Sequence, residues 1–228
     1  MTSSLGHGVR LLADLARITR ATLLEERALR RAAATMPRPV PWTWAEPRVF
    51  PLLAGPRLDR PGLEIVRSVA DLGCVIVFGL QLGRRFAMVD AAVAERWECS
   101  VGQIEAVAMV NLLRSAARVD RREVVSGTLS GRMVRMLERP SWSSSLLLIP
   151  SELRRLFGDH DQILATPSTS RLLSVPIDTP PPVVADIVLD LEARERWPLM
   201  LDPFVLLGSE LTWEGGDSDD DQWRLPRA

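Results

Sequence analysis

A chain of 228 residues, 46% hydrophobic and 25% charged, falls in the globular range and is long enough to bury a sizeable core. Its net charge of −1 offers no broad positive field for phosphate backbones or anionic lipid, so neither nucleic acid nor a membrane is the expected partner. All 28 basic residues are arginine and tyrosine is absent, which excludes Schiff-base and P-loop lysines and any tyrosine acid, base or nucleophile.

Residues 1–35 read as an Arg-rich amphipathic helix. Leu5, Val9, Leu12, Ala16 and Leu23 fall near one face of a 3.6-residue period, with Leu11, Leu15 and Ile18 beside it, while Arg10, Asp14 and Arg17 recur on another. The first forty residues carry seven arginines against three acids. Such a helix either docks on the domain with its arginines solvated or paired, as Glu26 with Arg30 at i,i+4, or lies on a membrane surface through residues 5–31. Arg17 and Arg20 are the candidate partner contacts in this segment.

From 36 to 61 the prolines at 37, 39, 41, 47, 51, 56 and 61 remove donors and fix φ too often for a helix or a central strand. This segment is expected to be a linker or an extended wrap. Trp42, Trp44 and Phe50 would be costly to leave in water, so they should lie against the domain, and Trp42 and Trp44 are candidate partner-binding residues. A single α+β domain is expected over 45–214, overlapping the end of the linker.

Within it, Cys74 to Leu82 is β-branched and apolar, Gly83-Arg84 suits a tight turn, and Phe86 to Val89 is apolar again, so the two runs should pair as an antiparallel hairpin. Arg84 and Arg85 at its tip are further candidate contacts. Asp90 should cap a short helix through Trp97. Ser100 and Gln103 form the S-x-x-Q capping box of the next helix, with Ile104, Val107, Ala108 and Leu112 buried.

These segments resemble the YtpQ-like family, a set of bacterial proteins classed as a domain of unknown function. The likeness lies in "LQLGRRFAMVD", a helix ending in "AERW", and then "VGQIEAVAMVNLLR", with "RVFPLL" at 48–53 as the approach to the domain. Farther on, "SSSLLLIPSEL", "ILATPSTSRLLSVP" and "WPLMLDPFVL" are similar to its later helix, hairpin and closing strand in the same order. The resemblance covers about two-thirds to three-quarters of the chain and implies a bacterial protein, but it brings no established activity or catalytic residues. The turn Pro167-Ser168-Thr169-Ser170 departs from the family pattern, and the N-terminal helix looks like an individual addition.

In the second half, "GRMVRMLER" alternates as a strand would, although a helix remains open. Ser143 to Ser145 are expected to cap the helix that follows. Ile163 to Thr166 and Leu172 to Pro176 should form another hairpin. Pro180 to Pro182 should open a helix running to about Arg196, with Val184, Ile187, Val188 and Leu191 inside, and Phe204 to Leu207 should be a last strand with a return through Trp213. Residues 215–228, rich in Gly and Asp, read as a mobile acidic tail whose aspartates lack the Gly and Glu of a calcium loop.

The expected architecture is therefore α+β: antiparallel hairpins in a mixed sheet packed by helices, with an added N-terminal amphipathic helix. A hydrolase would need one of Ser143 to Ser145 as nucleophile, His160 as base and Asp159 or Asp161 as orienter, without a G-x-S-x-G elbow. Only two histidines and two cysteines exist, Cys74 lies in an apolar run, and no glycine-rich phosphate loop occurs, so no metal and no cofactor is expected. With no signal peptide, no CxxC and no apolar run long enough to span a bilayer, a soluble protein of reduced bacterial cytoplasm is expected. The reading that follows is a non-catalytic protein-interaction or adaptor domain with a protein partner, with homo-oligomerisation through the N-terminal helix or a sheet edge left open. The alternative is a small-molecule hydrolase or other enzyme whose site one sequence does not reveal.

Overall fold

The computed structural model describes residues 27, 30, 31, 34–55, 66–69, 73–195 and 198–213. Of the N-terminal helix, Arg27, Arg30, Arg31 and Ala34 are helical and exposed. Arg17 and Arg20 lie outside the described residues, as does the acidic tail.

The fold is α+β, with two antiparallel sheets packed by helices. The first sheet is built on β3 (Cys74–Leu82), nine residues long and buried along most of its length. β1 (Val49–Ala54) pairs along one side of it, while β2 (Val66–Val69) and β4 (Arg85–Met88) share the other. The β3–β4 hairpin turns at Gly83-Arg84 as its sequence predicts, and Gly83 supplies φ 65° at the first central position of this two-residue turn. Gly79 is required for a different reason. A Cβ there would meet Leu52 Cδ1 at 2.8 Å and Phe86 Cβ at 2.9 Å, because both side chains fold over the strand at that point.

The second sheet has six strands in the order β10-β9-β7-β8-β6-β5: β5 (Val125–Leu129), β6 (Arg132–Leu137), β7 (Gln162–Ser168), β8 (Arg171–Pro176), β9 (Phe204–Leu207) and β10 (Glu210–Trp213). The 131–139 segment is the strand its alternation suggests, the 163–176 hairpin forms, and β9–β10 make the closing return. β2 and β5 were not legible: each is only four or five residues, and "VSGTL" is exposed at its first four positions, so β5 shows no buried apolar alternation.

The helices are α1 (Trp42–Ala45), α2 (Ala91–Arg96), α3 (Val101–Ala116), α4 (Pro150–Phe157) and α5 (Pro181–Glu192). Asp90 caps α2 by accepting from Val93 N at 2.7 Å, and the Ser100/Gln103 capping box of α3 is complete. One hydrophobic core runs between the sheets. It joins Val49, Leu53, Phe78 and Leu80 of the first sheet to Leu137, Leu164, Leu172 and Phe204 of the second, with Ile104 and Leu112 of α3 and Leu153 and Leu156 of α4. A second cluster fills the opposite face of the six-stranded sheet, where Val134, Ile163, Leu173 and Val175 meet Val184, Ile187, Val188 and Leu191 of α5. Full burial of a side chain of this size contributes about 1.5–3 kcal/mol, and here both faces of the second sheet collect it.

Two expectations are corrected. The Pro-rich segment is not simply a linker or wrap, because Val49–Ala54 is a strand buried at every position. Its prolines sit where a missing N–H costs nothing: Pro41 precedes α1, Pro47 lies in the first turn of the 3-10 helix Glu46–Arg48, and Pro51 is on the free side of an edge strand. Ser143 to Ser145 do not cap α4. They open a buried 3-10 helix, Ser143–Leu148, and the residue before α4 is Ile149, followed by Pro150.

The outer edge of β1 is closed by side chains rather than by another strand. Asn111 Nδ2 donates to Glu46 O at 2.7 Å and to Val49 O at 3.0 Å, and Ser145 Oγ donates to Pro51 O at 2.7 Å. In an antiparallel strand the N and O of one residue point the same way, so Pro51 turns its donor-less nitrogen outward beside the carbonyl that Ser145 satisfies. Asn111 is the only asparagine in the chain. Asn111→Ala leaves two inward-facing carbonyls unpaired and is expected to lower the unfolding free energy by about 2–4 kcal/mol, with Ser145→Ala costing about 1–2 kcal/mol, in urea denaturation. A loss for Asn111→Ala within experimental error would show that these bonds do not hold the edge.

Candidate functional site

A cleft of about 470 Å³ lies along the outer side of α3. Thr43, Glu46 and Pro47 form one wall, and Ala106, Val107, Val110, Asn111 and Arg114 form the other. The wall from the Pro-rich segment is held from behind. Trp97 Nε1 donates to Val40 O at 2.9 Å and its ring packs 5.2 Å from that of Trp42. Arg48 lies over Trp44 at 4.3 Å and donates to Trp44 O. Asn111, which clasps β1, is also at the base of this cleft, so the cleft and the core share one anchor.

The helix wall is unusual in having two apolar faces. Ile104, Ala108 and Leu112 are fully buried, as the sequence indicates. Val110 and Leu113 are 50% and 47% exposed, and with the exposed Ala106 and Ala117 they form a second stripe at spacings of four, three and four. That spacing is the seam a second helix packs against. The stripe was legible in principle: "VGQIEAVAMVNLLR" holds more large apolar residues than one buried face can use. Arg114 and Glu46 give the cleft one charge of each sign.

Of the candidate contacts, Trp42 and Trp44 are half-buried and support the wall from behind. Arg84 and Arg85 are exposed at the β3–β4 tip and do not line the cleft.

The residues considered for hydrolysis are not brought together. Ser143 Oγ donates to Pro140 O and Ser145 Oγ to Pro51 O, all three serines are fully buried, and among the described residues no hydrogen bond joins any of them to His160. His160 is exposed on the loop after α4, beside a cavity of about 150 Å³ that it lines with Met133, Arg135 and Ser174. The polar groups there are already engaged: Arg135 donates to Phe157 O, and Ser174 Oγ to Gln162 Oε1. Among the described residues, no group of three or more His, Cys, Asp or Glu could hold a metal ion, and no helix is long and apolar enough to cross a membrane.

Arginines serve as carbonyl clamps around this loop. Arg154 donates to Gly208 O, His160 O and Leu206 O and pairs with Asp161 at 3.1 Å, while Arg155 reaches Ala116 O and Val119 O at the end of α3. The Gly208 N–H first, and then Arg154, hold the Asp161 carboxyl below its ordinary value of 3.8. A depressed carboxyl stabilises the fold above its unfolded pKa, and that contribution is lost as pH falls through the lower folded value. Asp161→Asn is therefore expected to lower the thermal midpoint near pH 7, and the difference from wild type should vanish near pH 2. An equal difference at both pH values would rule out this linkage.

Burial pushes the Cys74 thiol up to about 11, whereas Cys99 is half-buried with its thiol near Trp97 O. A thiol reagent at about pH 8 is expected to label Cys99 in the native protein and Cys74 only on unfolding. Equal labelling rates for the two would contradict the burial of β3.

Compared with protein-family models, curated proteins and solved structures, the chain matches none.

Proposed function

We propose that this chain is a non-catalytic protein-interaction domain of the bacterial cytoplasm, and that it takes an amphipathic helix of a partner protein into the cleft between α3 and the Pro-rich segment. The observation that carries this reading is the exposed stripe Ala106, Val110, Leu113 and Ala117, of which Ala106 and Val110 line the cleft and Leu113 and Ala117 continue beside it, at a spacing that suits a helix. The partner helix would carry apolar residues three and four apart and an acidic residue opposite Arg114. Of the contacts considered from sequence, the Pro/Trp segment takes part through its wall, with Trp42 and Trp44 holding it in place. Arg84 and Arg85 would serve at a separate contact. Two free cysteines support a reducing compartment.

A photo-cross-linking residue in place of Val110 is expected to label a helical segment of a partner from the source cell, and Arg114→Glu to reduce that labelling at least tenfold with folding unchanged by circular dichroism. Equal capture of the same partner by wild type, Val110→Asp and Arg114→Glu would overturn the reading.

A further inference from the structure

The edge strands of the two sheets are β1, β2, β4, β5 and β10, and β5 is the one among them with neither a charged residue nor a proline. β1 is closed by Asn111, Ser145 and Pro51, whereas β5 ends its sheet with no charged residue and no proline in "VSGTL". These are the usual devices that keep an edge from pairing. Val125 at 62% and Met133 at 63% are the most exposed large hydrophobic residues described, and both belong to the β5–β6 hairpin.

The hairpin defines which groups are unused. Ser130 and Gly131 form a two-residue turn, with φ 47° and 74°, so Leu129 and Arg132 flank it as a hydrogen-bonded pair. Hydrogen-bonded pairs then recur at Gly127 with Val134 and at Val125 with Met136. Ser126 and Thr128 consequently turn their N–H and C=O groups away from β6. Among the described residues, neither makes a backbone hydrogen bond on that side.

We infer that β5 pairs antiparallel with β5 of a second copy of this chain, about a two-fold axis at Gly127, joining two six-stranded sheets into one. The strand is complementary to itself in this register and in no other centred register of its length. Ser126 of one copy faces Thr128 of the other, and the two such pairs use all four outward N–H groups and all four outward carbonyls. On one face of the joined sheet Val125 lies opposite Leu129 of the second copy, and on the other face hydroxyl meets hydroxyl, so apolar pairs with apolar and polar with polar. Gly127 meets Gly127 at the axis. A Cβ at this glycine would touch nothing within 4 Å, and its φ is not positive, so the fold of one chain does not require glycine there. Glycine inside a strand weakens it, and the close approach of another backbone is one reason to keep it. This inference does not depend on the partner helix proposed for α3.

Residues facing each other across the axis at Gly127 form a non-hydrogen-bonded pair with Cα atoms about 4.5 Å apart, inside the range a disulfide bridges. In a Cys99→Ser background, Gly127→Cys is expected to give a covalent dimer on mild oxidation, at least tenfold more than Val125→Cys, whose copies would stand four residues out of register. Thr128→Pro removes an outward N–H that β6 does not use and is expected to give a monomer by sedimentation with the hairpin intact. A wild-type chain that is monomeric at about 0.5 mM would overturn the inference, as would equal cross-linking at 125 and 127 or a Thr128→Pro protein that remains a dimer. A monomer whose Ser126 and Thr128 amides are nevertheless protected from hydrogen exchange would assign the edge to a segment of the same chain and also overturn it.

Discussion

Two of the outward carbonyls of β1 tie this molecule together. Val49 O and Pro51 O point away from β3, into protein rather than water, and an unpaired carbonyl in such a place costs about 1–3 kcal/mol. One is satisfied from α3 by Asn111 and the other from the 3-10 helix before α4 by Ser145. These two bonds link the four-stranded sheet to the helix on one side and, through Ser143–Leu148, to the six-stranded sheet on the other. The core between the sheets can close only because that edge is satisfied without a further strand.

The same problem of satisfying carbonyls is solved elsewhere by arginine. With no lysine in the chain, Arg135, Arg154 and Arg155 each direct a fork of N–H groups at backbone oxygens near the ends of α3 and α4 and at the β9–β10 turn. A guanidinium suits this task because it offers five donors in a fixed plane and carries an apolar stem through the rim of the core. Residues that look like a charged surface in the sequence are, at these positions, part of the scaffold.

What the fold leaves open is as informative as what it closes. α3 spends Ile104, Ala108, Leu112 and Asn111 on the interior and still shows Val110 and Leu113 to solvent beside a cleft. β5 shows Val125 and, among the described residues, two residues with unused backbone groups at the end of a sheet. On the two proposals made above, one surface would take a helix and the other a strand, through packing and backbone hydrogen bonds rather than reactive side chains.

The sequence by itself determined what is local. The β3–β4 hairpin, both helix caps from Asp90 and Ser100, the β7–β8 hairpin and the buried stripes of α3 and α5 follow from turn chemistry, capping residues and hydrophobic period, all set within a few residues of one another. Tertiary structure alone decided that Pro51 stands in a strand, that Ser143 to Ser145 are buried rather than a cap, and that Asn111 is a clasp. Their partners are distant in the chain: Phe78 of β3 stands opposite Pro51, Asn111 reaches Glu46 and Val49 more than sixty residues before it, and Ser145 reaches Pro51, ninety-four positions back. The cleft lies between these cases: the apolar residues of its helix wall were visible as excess hydrophobicity, but which of them face outward is set by where Asn111 draws the helix against β1.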